Sequence, residues 1–166
     1  PSFNWYVLYT KSRQEKKVAE KLMELNIEAY CPTRIVSKVW SDRTKRVEEP
    51  LFKSYCFVRV SDTERELVFQ ATGVVRYLFW LDKPAIVKDT EIDTIKKWLN
   101  EFDQSLITVG NLLKGDTVEI KNGVLIGEIA SVQEKRGKTL TLNLKSLGST
   151  ITLDLTKNLV ESTNEK

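Results

Sequence analysis

The sequence predicts an α+β protein: an α/β sandwich over residues 1–103, an antiparallel sheet flanked by helices, then a small β-barrel over 112–166. Three observations carry this. Short aromatic and β-branched runs alternate with helix-period stretches through the first hundred residues. Residues 104–111 have no sustained period and read as a linker. From Leu112 onward the pattern changes to short alternating strands separated by glycine turns.

The elements follow in order. Trp5 to Tyr9 reads as a buried strand. Ser12-Arg13-Gln14-Glu15 has the form of a capping box, in which Ser and Glu satisfy backbone N–H groups reciprocally. The next helix gathers Val18, Ala19, Leu22, Met23 and Leu25 into a stripe, and Asn26 ends it. Ala29 to Thr33 is a short strand. Ile35–Trp40 and Lys45–Glu49 form a hairpin with a basic tip at Ser41-Asp42-Arg43-Thr44. Tyr55 to Val60 is a strand. Thr63 and Glu66 form a second capping pair, opening a helix that runs to about Ala71, with Gly73 as its stop. Val74 to Leu81 and Pro84 to Val87 are extended. A helix capped at Asp89 or Thr90 then carries Ile92, Ile95, Trp98, Leu99 and Phe102.

In the last third, Gly115-Asp116, Asn122-Gly123, Arg136-Gly137 and Gly148 mark turns. Leu140, Leu142 and Leu144 alternate with polar residues, as do Ile151, Leu153 and Leu155. Each set belongs on one face of a strand. Short, evenly spaced strands of this kind close into small barrels.

Composition narrows the function classes. The chain has 166 residues, 41% hydrophobic and 30% charged, which suits a folded soluble protein. No apolar run approaches the roughly 18 residues a membrane helix needs, and no signal peptide is visible. A cytoplasmic protein is expected. Cys31 and Cys56 form no CxxC and are expected reduced and structural. The chain has no histidine, so the commonest general base and metal ligand are missing. No nucleophile elbow, phosphate loop or dinucleotide fingerprint occurs. The expectation is a non-enzyme without cofactor or metal. The net charge of +3 is uneven. Residues 1–60 hold 12 Lys/Arg against 7 Asp/Glu, residues 61–104 hold 6 against 9, and residues 105–166 hold 8 against 7. A basic first third suits a limited nucleic-acid contact.

Three ordered motifs give the chain a family resemblance. They are Trp5-Tyr6-x-x-Tyr9; Glu49-Pro50-Leu51-Phe52-x-x-Tyr55-x-Phe57-Val58; and Gly73-Val74 through Trp80 to Pro84-Ala85-Ile86-Val87. Together with Lys114-Gly115-Asp116-Thr117-Val118 and the Gly127 strand, they resemble the NusG family of transcription factors. In that family an NGN domain precedes an SH3-like KOW barrel. Within it the chain looks most like specialised antiterminators of the UpxY and RfaH type, which serve surface-polysaccharide operons. Two departures stand out. Lys53 replaces the family's proline, and the acidic stretch Asp62–Glu66 lacks the His-Thr-Thr patch of RfaH.

The resemblance implies sites and partners. An apolar patch would dock on the clamp helices of the largest RNA polymerase subunit. Its matching positions are Tyr9, Phe52, Tyr55, Phe57, Trp80 and Ile92. Aromatic clusters are typical anchors of such interfaces. Ordinary core packing competes as the explanation for each, most strongly for Phe57 and Ile92. Lys11, Lys16, Lys21, Arg43, Lys45 and Arg46 are candidates for the non-template DNA strand. The bland alternative is a solvated helix face and hairpin tip. The barrel's implied partner is a small-subunit ribosomal protein or the Rho terminator. The alternation in its strands favours a β-form barrel over the helical hairpin known in RfaH. A monomer is expected. The resulting expectation is an elongation factor that suppresses pausing and promotes terminator read-through. Two readings compete with it: a general NusG-like factor that also recruits Rho, and an RNA- or ribosome-binding barrel protein. No aromatic residue follows Phe102, which weakens the last.

Overall fold

A computed structural model describes residues 2–41, 43–111 and 139–154. The chain divides into two compact units, Pro1–Asp89 and Thr90–Lys166. The helix placed by sequence at the end of the first domain therefore falls in the second unit.

The first unit is built on strand β1 (Phe3–Thr10). Residues Trp5 to Leu8 are all buried, the continuous apolar run of a strand covered on both faces. Helix α1 (Glu15–Glu24) follows, then β2 (Glu28–Tyr30), β3 (Thr33–Trp40), β4 (Arg43–Pro50) and β5 (Tyr55–Ser61). A 3-10 segment (Asp62–Gln70) leads to β6 (Val74–Tyr77), β7 (Phe79–Trp80), β8 (Lys83–Pro84) and β9 (Ile86–Val87). The main sheet runs β2-β5-β1-β6, with β9 also on β1. All its pairs are antiparallel, and Tyr9 lies directly opposite Tyr55.

One face of this sheet carries Tyr6, Leu8, Cys56, Val58 and Val60, packed with Val18, Ala19 and Leu22 of α1. The stripe predicted for α1 is narrower than its sequence. Met23 and Leu25 are 52% and 40% exposed: Met23 sits about 100° round the helix from buried Leu22, and Leu25 caps the helix beyond Glu24. Gly73, at φ +106°, approaches this core closely: a Cβ there would sit 2.8 Å from Val18 Cγ2.

Neither predicted capping box forms as expected. Gln14 occupies the cap of α1 without a side-chain bond. Glu15 is instead buried, its Oε2 accepting from the Ser54 N–H at 2.6 Å. At the second site Ser61 rather than Thr63 stands at the cap, and its hydroxyl donates to Glu64 at 3.1 Å. The segment after it is 3-10, not α-helical. The predicted strand from Val74 to Leu81 breaks into β6 and β7; Leu81 and Asp82 have φ of +54° and +64° and turn the chain back into β8.

In the second unit, α2 (Asp89–Glu101) buries Ile92, Ile95 and Trp98 at the predicted spacing. The stretch expected as linker is ordered. Asp103 caps a 3-10 turn (Gln104–Leu106), and Ile107–Asn111 is strand β10. Its alternation, Ile107 and Val109, is too short to stand out in sequence. β11 (Thr139–Leu144) and β12 (Ser149–Asp154) complete an antiparallel sheet ordered β10-β12-β11. Leu140, Leu142, Leu144, Ile151 and Leu153 are buried, as their alternation predicts. Gly148, at φ +66°, makes the left-handed turn between β11 and β12. The turn signals at Gly115, Asn122 and Arg136, and Leu155, lie outside the described residues.

Candidate functional site

The central feature is an aromatic seam where β1 and β5 end side by side. Directly opposite residues share a face, so Tyr9 meets Tyr55. Their rings lie 5.1 Å apart, edge to face, and the hydroxyls are 3.5 Å apart. The Arg76 guanidinium, opposite Tyr9 on β6, sits 4.5 Å from the Tyr9 ring centroid. Both tyrosines are half-buried. Burial, the hydrogen bond to Tyr9 and the proximity of Tyr9 push the Tyr55 phenol up to about 12, against a smaller lowering by Arg76. The pair is neutral and amphipathic, with rings packed and hydroxyls at the rim.

Phe52 opens the turn that leads into Tyr55, and Phe57 shares Tyr55's face of β5 two residues on, opposite Val7. The two phenylalanines pack edge to face at 5.7 Å and are 4% and 0% exposed. Both are core residues. Phe57 also stacks on Tyr30 at 6.4 Å.

The Phe52–Tyr55 turn is fixed from two sides. Ser54 holds φ +66°, an uncommon conformation for a residue other than glycine. Its N–H is held by the Glu15 carboxylate, and its C=O accepts from the Thr10 N–H at 2.9 Å. Glu15 thus ties the start of α1 to the turn that presents Tyr55. Sequence reasoning missed this because the bond spans 39 positions.

The other predicted patch residues are not on the strands that carry the seam. Trp80 is 44% exposed in the β7–β8 ribbon, beside exposed Phe79 and Leu81. Ile92 is buried in the second unit.

The basic candidates separate as well. Lys11 is exposed just past β1. Lys16 is engaged with the base of the hairpin: its Nζ donates to the Glu48 carbonyl at 3.2 Å and pairs with the Glu48 carboxylate at 3.5 Å. Lys21 is partly covered on α1. Arg43, Lys45 and Arg46 are exposed on β4. Arg43 begins β4 opposite Trp40, so the tip is shorter than expected, and Ser41 turns it at φ +36°. Arg43 and Lys45 share one face of the ribbon and Arg46 takes the other.

Among the described residues no cluster of His, Cys, Asp and Glu could hold a metal ion. No described helix is long and apolar enough to cross a membrane.

The family model for the transcription termination factor NusG matches residues 3–96, more than half of the chain and all of the seam. The chain belongs to the NusG family. The transcription termination/antitermination protein NusG of Streptococcus pyogenes is 28% identical over 161 residues, covering 87% of this chain and 88% of the relative. That of Lactococcus lactis is 27% identical over 176 residues, covering 95% and 91%. That of Rickettsia typhi is 24% identical, covering 95% and 88%. A solved structure titled "Domain interaction in Thermotoga maritima NusG" aligns over 67% of this chain and 73% of its own, at 23% identity. Its TM-score of 0.39 is too low to add to the family assignment.

Proposed function

We propose that this NusG-family protein is a non-catalytic transcription elongation and antitermination factor that binds the clamp helices of bacterial RNA polymerase. The observation that supports this best is the Tyr9–Tyr55 pair. Two half-buried tyrosines, packed edge to face on adjacent strands, make an amphipathic surface. Rigid aromatic anchors of this kind bind with little ordering cost. Trp80, exposed on the β7–β8 ribbon, would supply a second apolar contact. Phe52, Phe57 and Ile92 are assigned to core.

The factor bound at the clamp would suppress pausing and raise terminator read-through. Lys11, Lys21, Arg43, Lys45 and Arg46 would face the non-template DNA strand, with Lys16 bracing the hairpin. An operon-specific role of the UpxY and RfaH type is part of this proposal, as is a KOW barrel in residues 112–166 that engages Rho or a ribosomal protein. A general NusG role is the second reading, favoured by relatives named only NusG that cover 87–95% of the chain.

The test is transcription in vitro with purified bacterial RNA polymerase on a template bearing a strong pause and a terminator. The wild type should raise read-through, and Tyr9→Ala/Tyr55→Ala should not. A paralog should act mainly on its own operon's leader, whereas a general factor acts on any template. No effect on either template would overturn the proposal.

A further inference from the structure

The hairpin of β3 and β4 carries a feature that the aromatic seam does not use. Alternate residues of a strand share a face, as do residues directly opposite each other. The register Lys38↔Lys45 and Trp40↔Arg43 therefore places Lys38, Trp40, Arg43 and Lys45 on one face, next to the turn. Trp40 is 55% exposed, and with Ser41, Arg43 and Lys45 it lines a shallow surface recess.

This is a costly arrangement for a surface that binds nothing. An indole left 55% exposed forgoes much of the gain that full burial brings, and two lysines placed opposite each other repel. Glu49 draws Lys38 toward the base of the hairpin at 3.3 Å, so Arg43 and Lys45 are the cations left flanking the indole. The nearby carboxylates of the hairpin strands, Glu48 and Glu49, are engaged at the base by Lys16, Thr33 and Lys38.

We propose that Trp40 is a stacking platform for an unpaired base of single-stranded DNA, with Arg43 and Lys45 holding the phosphates on either side. An indole face accepts any base, and the two cations complement the backbone. A duplex keeps its base faces stacked inside and offers the indole nothing equivalent. The hairpin thus reads strandedness, not sequence. The choice of DNA rests on the DNA-facing side of the proposed function; the stacking chemistry rests on the hairpin itself.

The test is fluorescence anisotropy of a labelled oligothymidylate with the full chain, repeated across salt concentrations. A duplex and an oligouridylate of equal length serve as comparisons. The wild type should prefer the single-stranded DNA. Trp40→Ala should weaken that binding by about 5- to 100-fold with an unchanged salt slope, since stacking involves no counterions. Trp40→Phe should keep most of the affinity. Arg43→Gln/Lys45→Gln should flatten the salt slope by about 0.7 for each phosphate no longer neutralised. The inference is overturned if the wild type does not bind the single strand, prefers the duplex, or binds the RNA more tightly. It is also overturned if Trp40→Ala binds as the wild type does, or if Trp40→Phe is as weak as Trp40→Ala. Tyr9→Ala/Tyr55→Ala should bind the oligonucleotide normally. A polymerase-defective chain that binds DNA through Trp40 and an active chain that does not are therefore distinguishable results.

Discussion

The seam and the hairpin both present aromatic side chains, but in opposite ways. Tyr9 and Tyr55 stand on the two central strands of a sheet, with Glu15 bound to the turn before Tyr55 and Arg76 over the Tyr9 ring. Trp40 and Val39 stand at the end of a two-stranded ribbon, 55% and 79% exposed. Isolated ribbons are marginal in stability. The contrast separates two ways of binding. The seam is preformed and suits a protein surface of fixed shape. The ribbon is an arm that exposes an indole and cations, and suits a polymer without fixed shape.

Substitutions should divide along the same line. The largest effect is expected from Phe57→Ala, which removes a fully buried ring two residues from Tyr55 on β5. It should cost about 3–5 kcal/mol in a denaturant melt. Next is Gly73→Ala, where positive φ and the approach to Val18 combine; about 2–3 kcal/mol is expected. Glu15→Gln replaces a buried charged acceptor of the Ser54 N–H. About 1–2 kcal/mol should be lost, and polymerase affinity should fall with it if the turn presents Tyr55. Loss of stability with unchanged affinity would show that Glu15 serves the fold alone.

High pH should produce a further, smaller effect. Burial holds the Cys31 thiol up to about 12, from an ordinary 9.0, and the Tyr55 phenol up to about 12, from 10.0. Both values are raised in the folded state. Their contribution is therefore whole below pH 9.0 and is lost as pH rises toward about 12. The melting temperature should fall across that window, and Cys31→Ala should soften the fall. At the small end, Trp40→Ala and Val39→Ser should stay within about 0.5 kcal/mol of the wild type. A hairpin variant that destabilised as much as Gly73→Ala would break the contrast between arm and core.

The pattern of apolar residues carried much of the architecture. Trp5 to Leu8, Val18, Ala19 and Leu22, Ile92, Ile95 and Trp98, and Leu140, Leu142 and Leu144 are buried where their periods predict, because the period of a local element fixes which of its side chains share a face. What sequence hid were pairings at long range. Glu15 looks like half of a capping box until Ser54, 39 positions away, is placed beside it. Ile107 and Val109 look like linker until β12 pairs with them. The seam itself was half legible. Tyr9, Phe52, Tyr55 and Phe57 all appear in the motifs, but only the fold divides them into two half-buried residues and two core residues. Trp40 sat inside the predicted hairpin; its place beside Arg43 required the register.

The central claim is that the seam is the polymerase anchor. It is tested most directly by measuring the affinity of the chain for purified bacterial RNA polymerase, wild type against Tyr9→Ala/Tyr55→Ala, with melts confirming that both are folded. Loss of both anchor rings should weaken binding by more than 2 kcal/mol, about 30-fold or more. Equal affinity of two folded proteins would contradict the account and move the binding surface elsewhere on the chain.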